Sequence, residues 1–205
     1  RFNSALVREP SASVTKGLRA VDRGDPSAEG VAAEHASYLE ALEAAGLSVT
    51  VLPALEAFPD SVFVEDPALV FSGGAILLRP GNAARRGETA QLAPVLRRRF
   101  ETVLEMSGTG YADGGDILVT PDHVLIGLSA RTNAAGAGAL GGLLRLSPSG
   151  PPPRGTASQM SATGPPSLPR TDGGNPGLAL QFVQAGPGLT AVDRRDRAAA
   201  GRFAR

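Results

Sequence analysis

The stretches "DSVFVEDPALVF", "GAILLRP", "RRGETAQLAPVLRRRF" and "ETVLEM" read in turn as two strands, a helix and a strand, and the order starts again at "GDILVTPDHVLIGLS". This recurrence, about every 50 residues, predicts an α/β fold built from repeated ββαβ blocks rather than a doubly wound sheet. The stretch before it is compatible. "SALVRE" reads as a strand, and Asp25-Pro26-Ser27 supplies an N-cap with a proline just inside. Val31, His35, Tyr38, Leu39 and Leu42 then form one apolar stripe, Gly46 ends the helix, and "LSVTVLP" is a strand. Turns are expected at Ser72-Gly73-Gly74 and Pro121-Asp122, a kink at Pro94, and a glycine-weakened helix in "RTNAAGAGALGGLL".

The pattern stops near Leu144. Up to that residue the chain has 12 Lys and Arg against 17 Asp and Glu; from Arg145 it has 8 Arg against 3 Asp, so a formal net charge of zero hides two unlike parts. The second part also holds 9 of the 17 prolines, a density that breaks helices and sheets alike. Residues 1–144 are therefore expected to carry the repeated blocks, and 145–205 to be a Pro/Gly/Arg-rich and largely irregular tail. A 205-residue chain that is 42% hydrophobic can bury a sizeable core. Its zero charge offers no basic field, so neither nucleic acid nor a membrane surface is expected as a partner. No apolar run approaches about 18 residues, and "RFNSALVREP" lacks the build of a secretory signal. The expectation is a soluble, cytoplasmic protein, and the opening on Arg1 suggests a processed product or a fragment. With no cysteine, this chain has no disulfide, no thiolate metal site and no cysteine nucleophile.

Three carboxylates fall within "DSVFVEDP". If the segment is extended, Asp60 and Asp66 share one face and Glu65 points to the other unless a bulge intervenes. Two same-sided carboxylates suit a planar cation such as a guanidinium, which offers paired charge-assisted N–H donors. The bland alternative is a solvated loop leading into a strand. Arg85 in "RPGNAARRGE" and Arg131 in "GLSARTN" lie where a strand gives way to a helix or loop, from where they could clamp a carboxylate. Alternatively, Arg85 is a surface residue at a helix start and Arg131 an ordinary salt-bridge partner. Acids at one end and arginines at the other complement an arginine-like amino acid. In "YADGGDILV", Asp113 and Asp116 flank two glycines that permit close backbone approach. His35, on the apolar stripe, and His123, at a hairpin turn, read as structural and solvent-facing.

Together, "DSVFVEDPALV", "RPGNAARRGE", "DGGDILV" and "GLSARTN", in this order and spacing, resemble the dimethylarginine dimethylaminohydrolases (dimethylargininases) of the guanidino-group-modifying, amidinotransferase-like superfamily. The resemblance covers about residues 3 to 144. It implies an α/β-propeller of the pentein type, incomplete here, and a cofactor-free hydrolase that converts methylated arginine to citrulline and a methylamine. By the same resemblance, Asp60, Glu65 and Asp66 match acidic substrate-binding positions, with Asp66 on the guanidinium. Arg85 and Arg131 match the arginines on the substrate α-carboxylate. Leu18, in "TKGLRA", matches a lid residue whose carbonyl meets the α-amino group, and Asp113 matches an acid that orients the catalytic histidine. A homodimer is the candidate assembly.

The family's chemistry needs a cysteine thiolate and a histidine in a Leu-His-Leu-Lys stretch, and this chain has neither. "GTASQMSAT" stands about where that stretch belongs, and with suitable codons Thr-Ala-Ser-Gln-Met read one base later gives Leu-His-Leu-Lys. A reading-frame accident would thus account for the tail. The expectations are a dimethylargininase homologue inactive as written, a non-catalytic arginine or methylarginine binding module, or an unstable remnant. Arginine deiminase or amidinotransferase activity is a further option that also needs the cysteine.

Overall fold

The computed structural model describes residues 3–19, 21, 24–71, 73–120, 124–146, 159–161 and 183–184. The expected turn residues Ser72, Pro121 and Asp122, together with His123 and most of 145–205, lie outside them.

Strand β1 (Ser4–Arg8) is buried along its whole length. Helix α1 (Ala28–Ala44) starts at Ser27, whose hydroxyl accepts the Gly30 N–H at 2.9 Å, and buries His35, Tyr38 and Leu42. Gly46, with φ +84°, turns the chain where a side chain would be strained. The chain then enters β2 (Ser48–Leu52), which pairs parallel to β1 from Ser4↔Ser48. Strands β3 (Ala68–Phe71) and β4 (Gly74–Leu77) pair antiparallel. Helix α2 (Arg86–Arg99) then crosses to β5 (Thr102–Glu105), parallel to β4. The third set repeats this order. Strands β6 (Ile117–Val119) and β7 (Val124–Leu128) are antiparallel, and α3 (Ala134–Leu146) leads to β8 (Gln159–Ser161), parallel to β7.

The first sheet follows the same plan with one strand borrowed from far along the chain. Strand β9 (Val183–Gln184) lies antiparallel to β1, opposite Ala5 and Leu6. Each sheet is therefore a central strand with an antiparallel neighbour on one side and a parallel, helix-connected neighbour on the other. The repeated ββαβ block read from the sequence is the organising unit. Two of its strands, β8 and β9, fall within 145–205, and α3 runs past residue 144 to Leu146.

The expected strand across Asp60–Pro67 is not formed. Ser61 N–H donates to the Phe58 carbonyl, Phe63 N–H to Asp60 and Asp66 N–H to Phe63, so the segment coils through successive turns and only Ala68–Phe71 is strand. Val62 and Val64 are both buried, which gives a strand-like alternation without a strand partner. The shared-face argument for Asp60 and Asp66 therefore fails, although the turns still bury both carboxylates. Helix α2 runs continuously through Pro94.

A buried cluster of Leu6, Leu52, Val64, Leu77, Leu92 and Leu96 joins the first two sheets beneath α2, and a second around Ile76, Met106, Ile126 and Leu140 joins the second and third. Leu96 has no exposed surface. Leu96→Ala is expected to cost about 2–5 kcal/mol of stability through lost burial and the cavity left behind. A urea unfolding midpoint unchanged from the parent chain would refute that packing role.

Candidate functional site

The Asp60–Asp66 turns close around the guanidinium of Arg85. Arg85 ends a 3-10 turn (Ala83–Arg85) capped by Asn82, whose side chain accepts the Ala84 N–H. This aims the arginine inward at the start of α2, where it is 6% exposed. Its Nη1 donates to Asp66 Oδ2. Its Nε and Nη2 meet the two oxygens of Glu88 at 3.0 and 2.8 Å, and Nη2 also donates to the Asp60 carbonyl at 3.0 Å. The Phe63 ring lies with its centroid 5.9 Å from Cζ, within cation–π range. The carboxylates flanking the guanidinium raise its pKa against the opposing effect of burial.

Asp60 directs its side chain the other way. Its carboxylate accepts the Leu18 N–H at 3.0 and 3.2 Å, tying the loop after the Ala12–Lys16 turn to the acid turns. The Leu18 side chain is exposed. Burial shifts the Asp60 pKa upward, partly offset by the Leu18 hydrogen bond and the Arg85 charge.

A second cluster sits on the loop before β6. Asp113, 1% exposed, accepts the Gly115 N–H and donates its own N–H to Thr132 Oγ1. The Thr132 hydroxyl donates a hydrogen bond to Asp116 Oδ2 at 2.7 Å, and Ser129 donates to the same oxygen at 2.6 Å. Arg131, its side chain half exposed, reaches Asp116 at 3.2 Å and Asp113 at 3.5 Å. Gly114 joins the clusters: its N–H donates to the Asp66 carbonyl, and a Cβ there would collide with the Glu65 carbonyl oxygen. Glu65 lies between them. Among the described residues its Oε2 is buried without a hydrogen-bond partner, and burial, with Asp66 and Asp113 adding repulsion, pushes its pKa up to about 8. Burial and the Asp66 charge raise Asp113 to about 6, against the pull of Arg131.

The structure thus gathers Leu18, Asp60, Asp66 and Arg85 in one contact set and Asp113 with Arg131 in another, with Glu65 between. Of the two arginines, Arg131 is the more open, and Arg85 is enclosed by acids. Sequence reading missed Glu88, 3% exposed. The signal was present, because Glu88 shares the i, i+4, i+8 face of α2 with Leu92 and Leu96, where an acid requires a buried partner. Thr132, fully buried, was missed as well. His35 is buried 6.5 Å ring to ring from Tyr38, on the face of α1 that also buries Leu42. Among the described residues, no group of three or more His, Cys, Asp or Glu could hold a metal ion, and no helix is long and apolar enough to cross a membrane.

Residues 51–146 match the arginine deiminase family model. The N(G),N(G)-dimethylarginine dimethylaminohydrolase of Pseudomonas aeruginosa is 41% identical over 137 residues, covering 66% of this chain and 54% of its own length. The enzyme of that name from Streptomyces coelicolor is 39% identical over 133 residues, 64% of this chain and 52% of its own. These matches support the dimethylargininase family for this chain. The chain spans about half the length of these relatives. The Pseudomonas aeruginosa dimethylargininase, as a cysteine-to-serine variant complexed with citrulline, superposes with a TM-score of 0.72 at 36% identity. The match covers 78% of this chain and 61% of that one. The fold is accordingly that of the dimethylargininases, an α/β-propeller of pentein type represented among the described residues by three ββαβ units.

The raised pKa of Glu65 sets a stability trend with pH. The unfolded carboxyl ionises near 4.5 and the folded one near 8, so the native state holds the extra proton between them. Its favourable contribution is complete below 4.5 and is lost as pH rises through 8. Glu65→Gln, which stays neutral, is expected to gain stability relative to the parent chain steadily from pH 5 to pH 8.5. Parallel melting-temperature profiles for the two proteins would show that Glu65 is ionised throughout.

Proposed function

We propose that the Asp60–Asp66 turns, with Arg85 and Arg131, hold arginine or a methylated arginine, and that this chain binds such a ligand without hydrolysing it. The observation that carries the reading is the Arg85–Asp66 contact: the turn already seats one planar guanidinium against a buried carboxylate, with backbone carbonyls closing around it. Among the described residues, Asp66 Oδ1 is left for a ligand guanidinium. Glu65 offers a buried oxygen beside it, and Arg131 stands half open at the second cluster for an α-carboxylate. Leu18, tethered to Asp60, would place its carbonyl toward the α-amino group, and Asp113 would orient a histidine in a complete enzyme.

Family membership makes hydrolysis of methylated arginine to citrulline and a methylamine the reaction of the complete protein. That reaction proceeds through thiolate attack on the guanidinium carbon, with an imidazole moving the protons. These 205 residues contain no cysteine. Strand β8, Gln159–Ser161, stands about where the family's histidine stretch is expected and brings no imidazole. Turnover would therefore need a thiolate and an imidazole from outside this sequence, as a restored reading frame would supply. The reading invokes no cofactor and places the protein in the cytoplasm, with a homodimer as its assembly.

Calorimetric titration with Nω,Nω-dimethyl-L-arginine, followed by a citrulline assay on the same mixture, tests the proposal. Binding without citrulline is the expected result. Asp66→Asn is expected to weaken binding tenfold or more, about 1.4 kcal/mol, by removing the charge opposite the guanidinium. Citrulline formation, or unchanged affinity in Asp66→Asn, would overturn it.

A further inference from the structure

We infer that Glu88 is a positioning residue that fixes which edge of Arg85 faces the ligand and so governs recognition of the ligand's carboxylate. The inference rests on the binding function proposed above. A guanidinium has five N–H donors, and most of those on Arg85 are committed. Nε and one Nη2 hydrogen go to the two oxygens of Glu88, the second Nη2 hydrogen to the Asp60 carbonyl, and one Nη1 hydrogen to Asp66. Among the described residues, a single Nη1 hydrogen remains without an acceptor. Because Glu88 grips the Nε–Nη2 edge with both oxygens, the guanidinium cannot swing about its long axis without breaking two charge-assisted bonds in a buried site.

Glu88 also balances charge. Arg85, Asp66 and Glu88 together carry one net negative charge, while an arginine-type zwitterion carries one net positive charge. The ligand's guanidinium can then approach Asp66 while its carboxylate takes the remaining Nη1 hydrogen, aided by Arg131. The position of Glu88 on α2 supports a built device. It lies one turn before Leu92 on the core-facing stripe, where its backbone is fixed by the packing of Leu92 and Leu96. Both of its oxygens are paired there with Arg85, and the buried Arg8 adds a second favourable charge nearby.

The test compares two probes, Nω-methyl-L-arginine and its decarboxylated counterpart Nω-methylagmatine, by titration against the full chain and its Glu88→Gln variant. In parallel, the Arg85 Nε–H resonance is followed by nitrogen-15 NMR. A positioning role predicts that Glu88→Gln weakens methylarginine tenfold or more, leaves methylagmatine within twofold, and shifts the Arg85 resonance with faster exchange. Glu88→Asp, which keeps the charge but retracts it by one methylene, is expected to give the same ranking with a smaller loss, and it serves if the glutamine variant does not fold. Equal weakening of both probes, or an unchanged Arg85 resonance, overturns the inference. If the parent chain binds neither probe, the proposed function fails, and the resonance alone decides whether Glu88 holds Arg85.

Discussion

A single buried cation organises the acidic site. Arg85 touches the Asp60 carbonyl, the Asp66 carboxylate and both oxygens of Glu88, and so joins the turns after β2 to the first turn of α2. Removing charged groups from water costs several kcal/mol each, and attraction between partners offsets this only when hydrogen bonds satisfy them. Here they do. What the arrangement secures is less net stability than a defined shape, because a hydrophobic replacement of similar volume could fold as tightly without holding the turn open around a carboxylate. The raised pKa of Asp60, Glu65, Glu88 and Asp113, each caused first by burial, marks the cost of taking these acids out of water.

That economy also explains the unequal state of the two arginines. Arg85 lies inside a ring of acids supplied by α2 and the turns, while Arg131 stays half exposed beside Asp113 and Asp116. Each of the two arginines thus meets two carboxylates, but Arg131 keeps part of its guanidinium open to solvent.

The helices and most strands were legible because their periods are local: the α1 stripe, the Ser27 cap and the antiparallel pair β3–β4 all follow from neighbours in sequence. The segment Asp60–Pro67 was not, since burial of Val62 and Val64 imitates a strand, and its turn hydrogen bonds leave no mark in residue type. The acids and arginines of the site could be found by their chemistry, but which arginine would be enclosed depended on Glu88. That residue shows only as an acid out of place on an apolar helix face. Strands β8 and β9 were hidden for another reason, being three and two residues long in a proline-rich stretch where no period can develop.

Strand β9 carries a consequence for how the molecule is made. Its partner β1 is synthesised long before it, so Leu6 must wait for Val183 before its second edge is paired. Closing so long an interval is slow relative to forming a hairpin, although its entropic cost grows only gradually with length. During synthesis β1 therefore exists with one edge open while the second and third units can already assemble. A chaperone that covers exposed strand edges would find its target in β1 for as long as β9 has not been made.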